Sequence, residues 1–199
     1  MQQLLIVFIK NPIKGRVKTR LAESIGDERA LQVYRELLEV TKSVSDQLNC
    51  HRQVWYSHFI DDDDLWTDDG YEKRLQEGGD LGERMKNSFR KAFDEGASKV
   101  VIIGSDCPGL TSEVIKQAYD ALDNDDLVIG PSKDGGYYLL GMNTFHPELF
   151  DDKPWSSSQV LNQTIKQAKK QELSFKLLTE LNDIDTKEDL DKFREMYQE

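Results

Sequence analysis

The chain is poor in cysteine and in histidine. Its 199 residues include two cysteines, Cys50 and Cys107, and three histidines. Two thiols cannot build the disulfide framework of a small secreted protein, and a chain of this length can bury enough apolar surface to fold without one. His51, His58 and His146 are scattered, and no pair has a spacing typical of a metal-binding helix. The sequence therefore indicates neither a disulfide-stabilised fold nor a histidine metal site.

Long apolar runs and an excess of positive charge are also missing. The apolar run at residues 4–9 is too short for a signal-peptide core or a membrane span. The formal net charge is −11, and the sequence pI is about 4.8. An acidic chain is a poor partner for nucleic acid or anionic membranes, although a local basic loop can still bind a small phosphate ligand. We therefore expect a cytoplasmic protein without a membrane span or a nucleic-acid partner.

Apolar runs alternate with segments of helical periodicity along most of the chain. This alternation, without linkers or repeats, predicts an α/β fold over residues 1–199 as a single domain, with three layers and a mostly parallel sheet. Asp27 and Thr111 are the expected N-caps of two of the helices. The predicted strands are 4–9, 53–56, 99–103, 126–129, 137–140 and 175–178. The predicted helices are 28–48, 81–93, 112–122, 157–170 and 187–197.

Basic residues are concentrated directly after the first strand. Ligands of such sheets bind at the carboxyl ends of the strands, where this loop lies. Its side chains can balance phosphate charge, and Gly15 allows the backbone to approach a ligand closely. A solvated basic loop is the alternative, and the glycine spacings of a Walker A loop or a dinucleotide fingerprint are absent. The basic residues are Lys10, Lys14, Arg16, Lys18 and Arg20.

Two further loops and a late acidic segment carry candidate polar residues. Asp106 directly follows a buried strand, where its carboxylate can hold Mg²⁺ or Mn²⁺; a turn aspartate is the alternative. Asp134, Gly135 and Gly136 fit either a tight hairpin or close approach to a ligand. Thr186 and Asp189 resemble a capping box, which leaves Asp183 and Asp185 unexplained on one face of an extended stretch. Asp185 is a plausible second metal ligand.

Together, these motifs resemble a bacterial family of small GT-A-fold transferases whose members carry the provisional name of glycosyltransferases. The resemblance runs from Phe8 to Leu190. The chain is more distantly similar to 2-phospho-L-lactate guanylyltransferase and to the molybdenum-cofactor nucleotidyltransferases. The motifs are KNPIKGRVKTRL, QEGGDLGERM, GSDCPGL, GPSKDGGYYLLG, the Trp155-Ser156 pair and DIDTKEDL.

The resemblance implies a nucleotide-diphospho-sugar transferase fold with assigned site residues. Lys14, Gly15, Lys18 and Arg20 would contact the nucleotide and its phosphates, and Asp106 would be the metal-binding aspartate, with Asp185 as the second ligand. Lys18 and Arg20 would also assist catalysis beside Asp106. The acceptor side would be bordered by Asp134, Gly135, Gly136 and Tyr137, together with Trp155, for which core packing is the alternative.

These observations leave three functions open. The first is a metal-dependent transferase with a nucleotide-sugar donor and a small acceptor. The second is a nucleotidyltransferase that moves a nucleoside monophosphate from a triphosphate to a phosphorylated acceptor and releases pyrophosphate. The third is a nucleotide-binding module without catalysis. The basic loop beside a lone Asp106 favours the second function, whereas the name of the resembled family favours the first.

Overall fold

Seven strands form one mixed sheet in the computed structural model, which describes residues 2–66, 70–151, 153–155 and 157–197. The strand order is β3-β2-β1-β4-β6-β5-β7, and β6 is antiparallel to both of its neighbours while the other neighbouring pairs are parallel. In chain order the strands are β1 (Gln3–Ile9), β2 (His51–Tyr56), β3 (Glu72–Leu75), β4 (Lys99–Ile103), β5 (Leu127–Pro131), β6 (Tyr137–Met142) and β7 (Phe175–Leu177).

Helices cover both faces of this sheet, which gives the predicted three layers. A short 3-10 helix, Pro147–Phe150, follows β6. Among the described residues, none of the helices has the length and apolar content needed to cross a membrane. The α-helices are α1 (Thr19–Ile25), α2 (Asp27–Asp46), α3 (Leu81–Asp94), α4 (Ser112–Ala121), α5 (Val160–Lys170) and α6 (Lys187–Tyr197).

The alternation of side chains along β1 explains why both faces are covered. Leu5, Val7 and Ile9 pack into one core cluster with α2 and α4. Leu4, Ile6 and Phe8 point to the other face and pack with α3 and α5. Because successive strand residues face opposite sides, a continuous apolar run requires a layer on each side. A third cluster joins α1, α2 and α6.

The predicted elements are present, with shifted ends and three omissions. Thr111 caps α4 through its side chain, as predicted. Asp27 is the first residue of α2 rather than its cap, which is Gly26; the carboxylate instead lies in the first turn, where it favours the helix dipole. The helix predicted from residue 157 begins at Val160. Three short elements, β3, α1 and the 3-10 helix, were not predicted. Each has few apolar residues, and these show no regular spacing.

The first turn of α3 packs directly against the segment after the 3-10 helix. Gly82 is buried because the indole of Trp155 lies over it, and a Cβ atom added at Gly82 would meet Trp155 Nε1 at 2.0 Å. Trp155 also stacks on Phe150, with ring centroids 6.3 Å apart. The glycine therefore allows the start of α3 and the segment around Trp155 to pack closely together.

Gly82→Ala should destabilise the protein by about 1–3 kcal/mol, because the overpacking at Trp155 outweighs the better helix propensity of alanine. Gly104→Ala is the matched control, since a Cβ atom there meets no atom within 4 Å. Urea denaturation of both variants measures the difference. Equal stability of the two variants would contradict the packing described for Gly82.

Candidate functional site

Three segments converge at the carboxyl ends of β1 and β4. They are the loop at 10–18 after β1, the loop at 104–111 after β4, and the stretch at 182–186 before α6. The backbone N–H of Ile184 donates to the carbonyl of Asp106 at 3.0 Å, which holds the third segment against the second. In the sheet, β2 lies on one side of β1 and β4 lies on the other side. The segments therefore meet at a topological switch point, where open α/β sheets bind ligands.

Lys18 lies at the centre of this convergence. Its side chain is 3% exposed, and its Nζ lies 2.8 Å from Asp106 Oδ1 and 3.3 Å from Asp185 Oδ1. The backbone of Lys18 is left-handed, with φ 49° and ψ 43°. Non-glycine residues are uncommon in this conformation, and such backbone strain clusters at functional sites. The structure thus joins Lys18, Asp106 and Asp185, three of the residues that the sequence analysis singled out.

Arg20 extends the charged cluster toward solvent. Its Nη1 lies 3.4 Å from Asp185 Oδ2, and its side chain is 67% exposed. The carboxylates of Asp106 and Asp185 are themselves about one-third exposed, at 36% and 37%. An exposed guanidinium next to half-buried carboxylates can turn to an incoming anion without leaving a buried charge unpaired.

Asp183 contributes a further carboxyl group to the same place. Ile184 is buried in the cluster with α1 and α6, and the acidic residues on either side of it turn to the site. Burial raises the pKa of Asp183 to about 7, and the carboxylates of Asp106 and Asp134 add to the rise, while the Lys18 ammonium opposes it. The site thus holds more negative charge than its one buried lysine can balance.

Two adjoining cavities open at this cluster. The smaller, of about 140 Å³, is lined by the loop at 16–20 together with Asp106 and Asp185. The larger, of about 560 Å³, runs from Asp183 past the end of β1 to the start of α3. The two cavities share Lys10, Arg16, Tyr34 and Asp106. They therefore form one groove along the carboxyl edge of the sheet.

The basic loop divides into residues that face this groove and residues that do not. Lys14 pairs with Glu28 on the surface, with 2.7 Å between Nζ and Oε2. Gly15 faces Asp27, away from the described lining of the cavities. Lys10 and Arg16 belong to the basic loop predicted to balance phosphate charge, although the family resemblance assigned them no role, and both line the two cavities. Periodicity could not have separated these groups, because the loop has no regular structure.

The loop between β5 and β6 is a hairpin that also borders the groove. Asp134 accepts hydrogen bonds from Ser132 Oγ and from the backbone N–H of Gly136, which closes the turn. Gly135 has a φ of 90°, and a Cβ atom there would meet the carbonyl oxygen of Ser158 at 2.2 Å. The hairpin thus accounts for the two glycines. Tyr137, the next residue, lines the larger cavity.

Of the residues predicted for the acceptor side, Tyr137 lines the groove, whereas Asp134, Gly135, Gly136 and Trp155 are not among its described lining residues. Trp155 packs on Gly82 and Phe150. Its neighbour in the motif, Ser156, lies outside the described residues. Leu81, which precedes Gly82 in the chain, does line the larger cavity. Core packing, the alternative for Trp155, is therefore what the geometry displays.

The motif QEGGDLGERM forms the far end of the groove. Asp80 caps α3, and Glu83 accepts from the backbone N–H of Gly79 at 2.7 Å. Gln76 donates to the carbonyls of Ile9 and Trp55, which fixes the segment to the ends of β1 and β2. The sequence analysis quoted the motif without assigning a role to any residue in it. The helix at 81–93 was itself predicted, and the capping pattern at Asp80 and Glu83 agrees with its start.

The acidic cluster fits a metal ion that is shared with a phosphate ligand. Asp106 Oδ1 is a buried atom whose close ion pair with Lys18 lacks hydrogen-bond geometry, so it keeps free coordinating capacity. No group of three or more acidic, histidine or cysteine side chains in the described part of the chain is arranged to hold a metal. Magnesium typically takes one or two carboxylates and completes its shell with phosphate and water. Asp106 and Asp185 match that donor set.

A wider hollow of about 950 Å³ lies at the opposite edge of the sheet. It is lined by residues at the starts of β2 and β3 and by the end of α3. Its cations are engaged locally: Lys73 pairs with Asp64 at 2.9 Å and Arg52 with Asp46 at 3.2 Å. It lies at the amino ends of the parallel strands, away from the edge where such sheets bind ligands.

A family model covers more than half of the chain, residues 40–157. The model is that of DUF2064, described as uncharacterized proteins conserved in bacteria. The chain belongs to the DUF2064 family. No curated protein matches this DUF2064 sequence.

Solved structures share the fold of this DUF2064 protein along nearly its whole length. A protein from Desulfovibrio desulfuricans G20, which carries the provisional name nucleotide-diphospho-sugar transferase, is 34% identical, with a TM-score of 0.91 over 98% of this chain and 88% of that one. The inositol-1-phosphate CTP transferase from T. maritima is 14% identical, with a TM-score of 0.65 over 98% and 94%. The manganese complex of Rv0371C from Mycobacterium tuberculosis H37Rv is also 14% identical, with a TM-score of 0.56 over 98% and 99%. These similarities confirm the predicted fold class.

Lys18→Met should lower the free energy of unfolding at pH 7 by about 1–3 kcal/mol in metal-free buffer, because it leaves Asp106 and Asp185 without their shared cation. The loss falls below that of a fully buried pair, since both carboxylates retain contact with water. Lys14→Met, four residues earlier in the same loop, is the control and should change stability little, because its ion pair is exposed. Denaturation curves that shift equally for both variants would argue against a central role for Lys18.

At pH 8, Asp183→Asn should have a higher free energy of unfolding than the wild type. This advantage should disappear at pH 4. A carboxyl whose pKa is higher in the folded than in the unfolded state costs stability as pH rises between the two values, here from about 4 to about 7. Asparagine cannot ionise and escapes that cost, which we expect to be on the order of 2 kcal/mol because water partly screens the group. Unfolding free energies of both proteins, measured with a chelator present, should diverge over this interval. Parallel curves would mean that Asp183 is not buried among the other carboxylates.

Proposed function

We propose that this DUF2064 protein is a metal-dependent transferase that takes a nucleotide-diphospho-sugar as donor. The observation that carries the proposal is the buried Lys18 ammonium between Asp106 and Asp185, at the head of a groove that Lys10 and Arg16 also line. Neither of these two cations has an ion pair within the described part of the chain. In a chain of net charge −11, such a concentration of positive charge is suited to an anionic ligand. The Desulfovibrio desulfuricans relative, at 34% identity, supports this donor class by its name.

The phosphates of the donor would lie against the basic loop. Lys10 and Arg16 line both cavities, and Lys18 and Arg20 line the smaller one. Their ammonium and guanidinium groups would form charge-assisted hydrogen bonds with phosphate oxygens. We place Lys10 and Arg16 in this role in addition to Lys18 and Arg20, because Lys14 and Gly15 face away from the groove.

Asp106 and Asp185 would hold a divalent cation between themselves and the phosphates. When bound, Mg²⁺ or Mn²⁺ supplies positive charge that stabilises the departing nucleoside diphosphate. The structure of Rv0371C with manganese supports a metal on this fold. Lys18 balances the two carboxylates in the free protein, and Arg20 is exposed enough to move to the leaving diphosphate.

The acceptor would enter from the side of the β5–β6 hairpin. Tyr137 and Asp183 line the groove on that side, and Asp134 is close enough to Asp183 to raise the pKa of its carboxyl. An acceptor hydroxyl next to Asp183 would give its proton to this carboxylate as its oxygen bonds to the donor sugar and the bond from the sugar to the nucleoside diphosphate breaks. Positioning and charge stabilisation would carry the reaction without a covalent intermediate.

Nucleotidyl transfer is the second candidate, and the composition of the β4 loop favours it. Asp106 is preceded by Ser105 and followed by Cys107, so the loop offers one carboxylate rather than a pair. In this reaction a phosphate oxygen of the acceptor would bond to the α-phosphorus of a nucleoside triphosphate, and pyrophosphate would leave. The T. maritima CTP transferase has the same fold.

Thermal shifts with ligands distinguish these functions. Nucleotide sugars and nucleoside triphosphates are added separately, each with and without Mg²⁺ or Mn²⁺. A ligand that binds only the folded state raises stability by about 2.7 kcal/mol at a hundredfold excess over its Kd. A metal-dependent shift with a nucleotide sugar supports the first proposal, and a shift with triphosphates alone, together with pyrophosphate release, supports the second. No shift with any of these ligands would overturn both.

Arg16→Ala should weaken binding of the ligand that produces the largest shift by about tenfold, the loss expected for one charge-assisted contact to phosphate. Lys14→Ala is the matched control, since it removes a cation two residues away that faces Glu28. Isothermal titration at fixed ionic strength measures both. Equal loss of affinity in the two variants would mean that net charge, rather than the groove, determines binding.

A further inference from the structure

We propose that Tyr34 is a positioning residue of the site, whose hydroxyl group fixes the end of β1 against the loop that carries Asp106. Tyr34 belongs to α2, and its side chain is 1% exposed. Its purpose in a reaction rests on the proposed function. The contacts of its hydroxyl group are present in the protein without any ligand.

The Tyr34 hydroxyl joins two segments that are distant in the chain. It accepts a hydrogen bond from the backbone N–H of Lys10 at 2.8 Å and lies 3.0 Å from the carbonyl oxygen of Lys10, to which it donates. Ser105 Oγ lies 3.2 Å from the same hydroxyl. One side chain thus holds both backbone groups of the first loop residue and also contacts the residue directly before Asp106.

These contacts use the full hydrogen-bonding capacity of the hydroxyl. A phenolic hydroxyl has one hydrogen to donate and two lone pairs to accept with. The Lys10 carbonyl takes the hydrogen, while the Lys10 N–H and the Ser105 hydroxyl occupy the lone pairs. Burial, and then the charge of Asp106, raise the pKa of Tyr34 well above its ordinary value, so the group keeps its proton. Tyr34 therefore has no capacity left for a ligand and acts through the segments that it holds.

The hydroxyl lies where the sheet stops connecting β1 with β4. The last paired residues of these strands are Val7 and Ile103, whereas β1 stays paired with β2 as far as Ile9 and Tyr56. The two chains separate beyond that point to form the groove. Tyr34 supplies the missing connection at Lys10, in place of a strand partner.

A second set of contacts fixes the other side of the same loop. Asn11 is 2% exposed, and its backbone N–H donates to Ser57 Oγ at 3.1 Å. Its Oδ1 accepts from the backbone N–H of His58 at 3.0 Å. With Lys10 held toward β4 and Asn11 held toward β2, the loop to Lys18 starts from a fixed point. The distance from that loop to Asp106 therefore depends on the Tyr34 hydroxyl.

Tyr34→Phe removes this hydroxyl and keeps the packed ring. Tyr56→Phe is the matched control, because Tyr56 is fully buried in the same core cluster and its hydroxyl donates to Asp64 Oδ2 at 2.6 Å, outside the groove. Amide hydrogen exchange of the full chain, without ligand, is measured for the wild type and both variants. In Tyr34→Phe, exchange should become about tenfold faster at residues 10–18 and 104–107. In Tyr56→Phe, those residues should exchange at the wild-type rate.

Binding of tripolyphosphate with Mg²⁺ gives the second readout, since this probe senses the phosphate loop without a nucleobase. Tyr34→Phe should weaken its binding about tenfold, and Tyr56→Phe should not change it. Unchanged exchange at residues 10–18 and 104–107, or faster exchange with unchanged affinity, overturns the inference. The wild type itself could fail to bind tripolyphosphate, while Tyr34→Phe still exchanges faster in these two segments. That combination would support the positioning role of Tyr34 and overturn the proposed function.

Ser105→Ala tests the same connection from the β4 side, and does so even where Tyr34→Phe folds poorly. It removes one of the three contacts, so faster exchange at residues 104–107 should exceed that at residues 10–18. In the double variant the effects of the two substitutions should be less than additive, because both act through one hydrogen-bonded group. Independent, additive effects would contradict the role of Tyr34.

Discussion

The arrangement of the groove depends on one buried cation. Lys18 is nearly inaccessible to water, and its ammonium lies between carboxylates that reach it from the β4 loop and from the segment before α6. Three acidic groups cannot share a half-buried place without a counterion, because desolvation and mutual repulsion both disfavour their ionised forms. Lys18 therefore connects the first twenty residues of the chain with the last twenty, and the elements between them determine the groove that opens beside it.

The same interaction links fold to chemistry. Because Lys18 balances only part of the negative charge, the site retains an oxygen of Asp106 that has an ion pair but no hydrogen bond, and a carboxyl on Asp183 whose pKa is raised to about 7. A site with this residual charge accepts a metal ion more easily once phosphate groups complete the coordination shell. In the proposed function, Lys10 and Arg16, which line both cavities, would attract those phosphates. The proposed function assigns the carboxylates to the metal and the cations to the phosphates of one bound complex.

Much of the fold and part of the candidate site could be predicted from the sequence. Buried strands such as β4 show as apolar runs, and α4 shows through its Thr111 cap and its periodicity. The short strand β3 carries the residues EKRL, so neither hydropathy nor alternation marked it. The positions of Asp106 and of the basic loop that carries Lys18 were predictable because both follow buried strands. Lys14 points to Glu28 and Arg16 points to the groove because of the way an irregular loop folds back on α2. No local sequence pattern predicts that path.

Crystals grown with Mn²⁺ and the nucleotide sugar or triphosphate that produces the largest thermal shift test the central claim most directly. Anomalous scattering locates the metal independently of the ligand density. We expect a manganese peak within coordination distance of Asp106 and of a phosphate oxygen, with Arg16 and Lys18 beside the phosphates. A nucleotide bound with its phosphates elsewhere, or a manganese ion that contacts neither Asp106 nor Asp185, would contradict that claim.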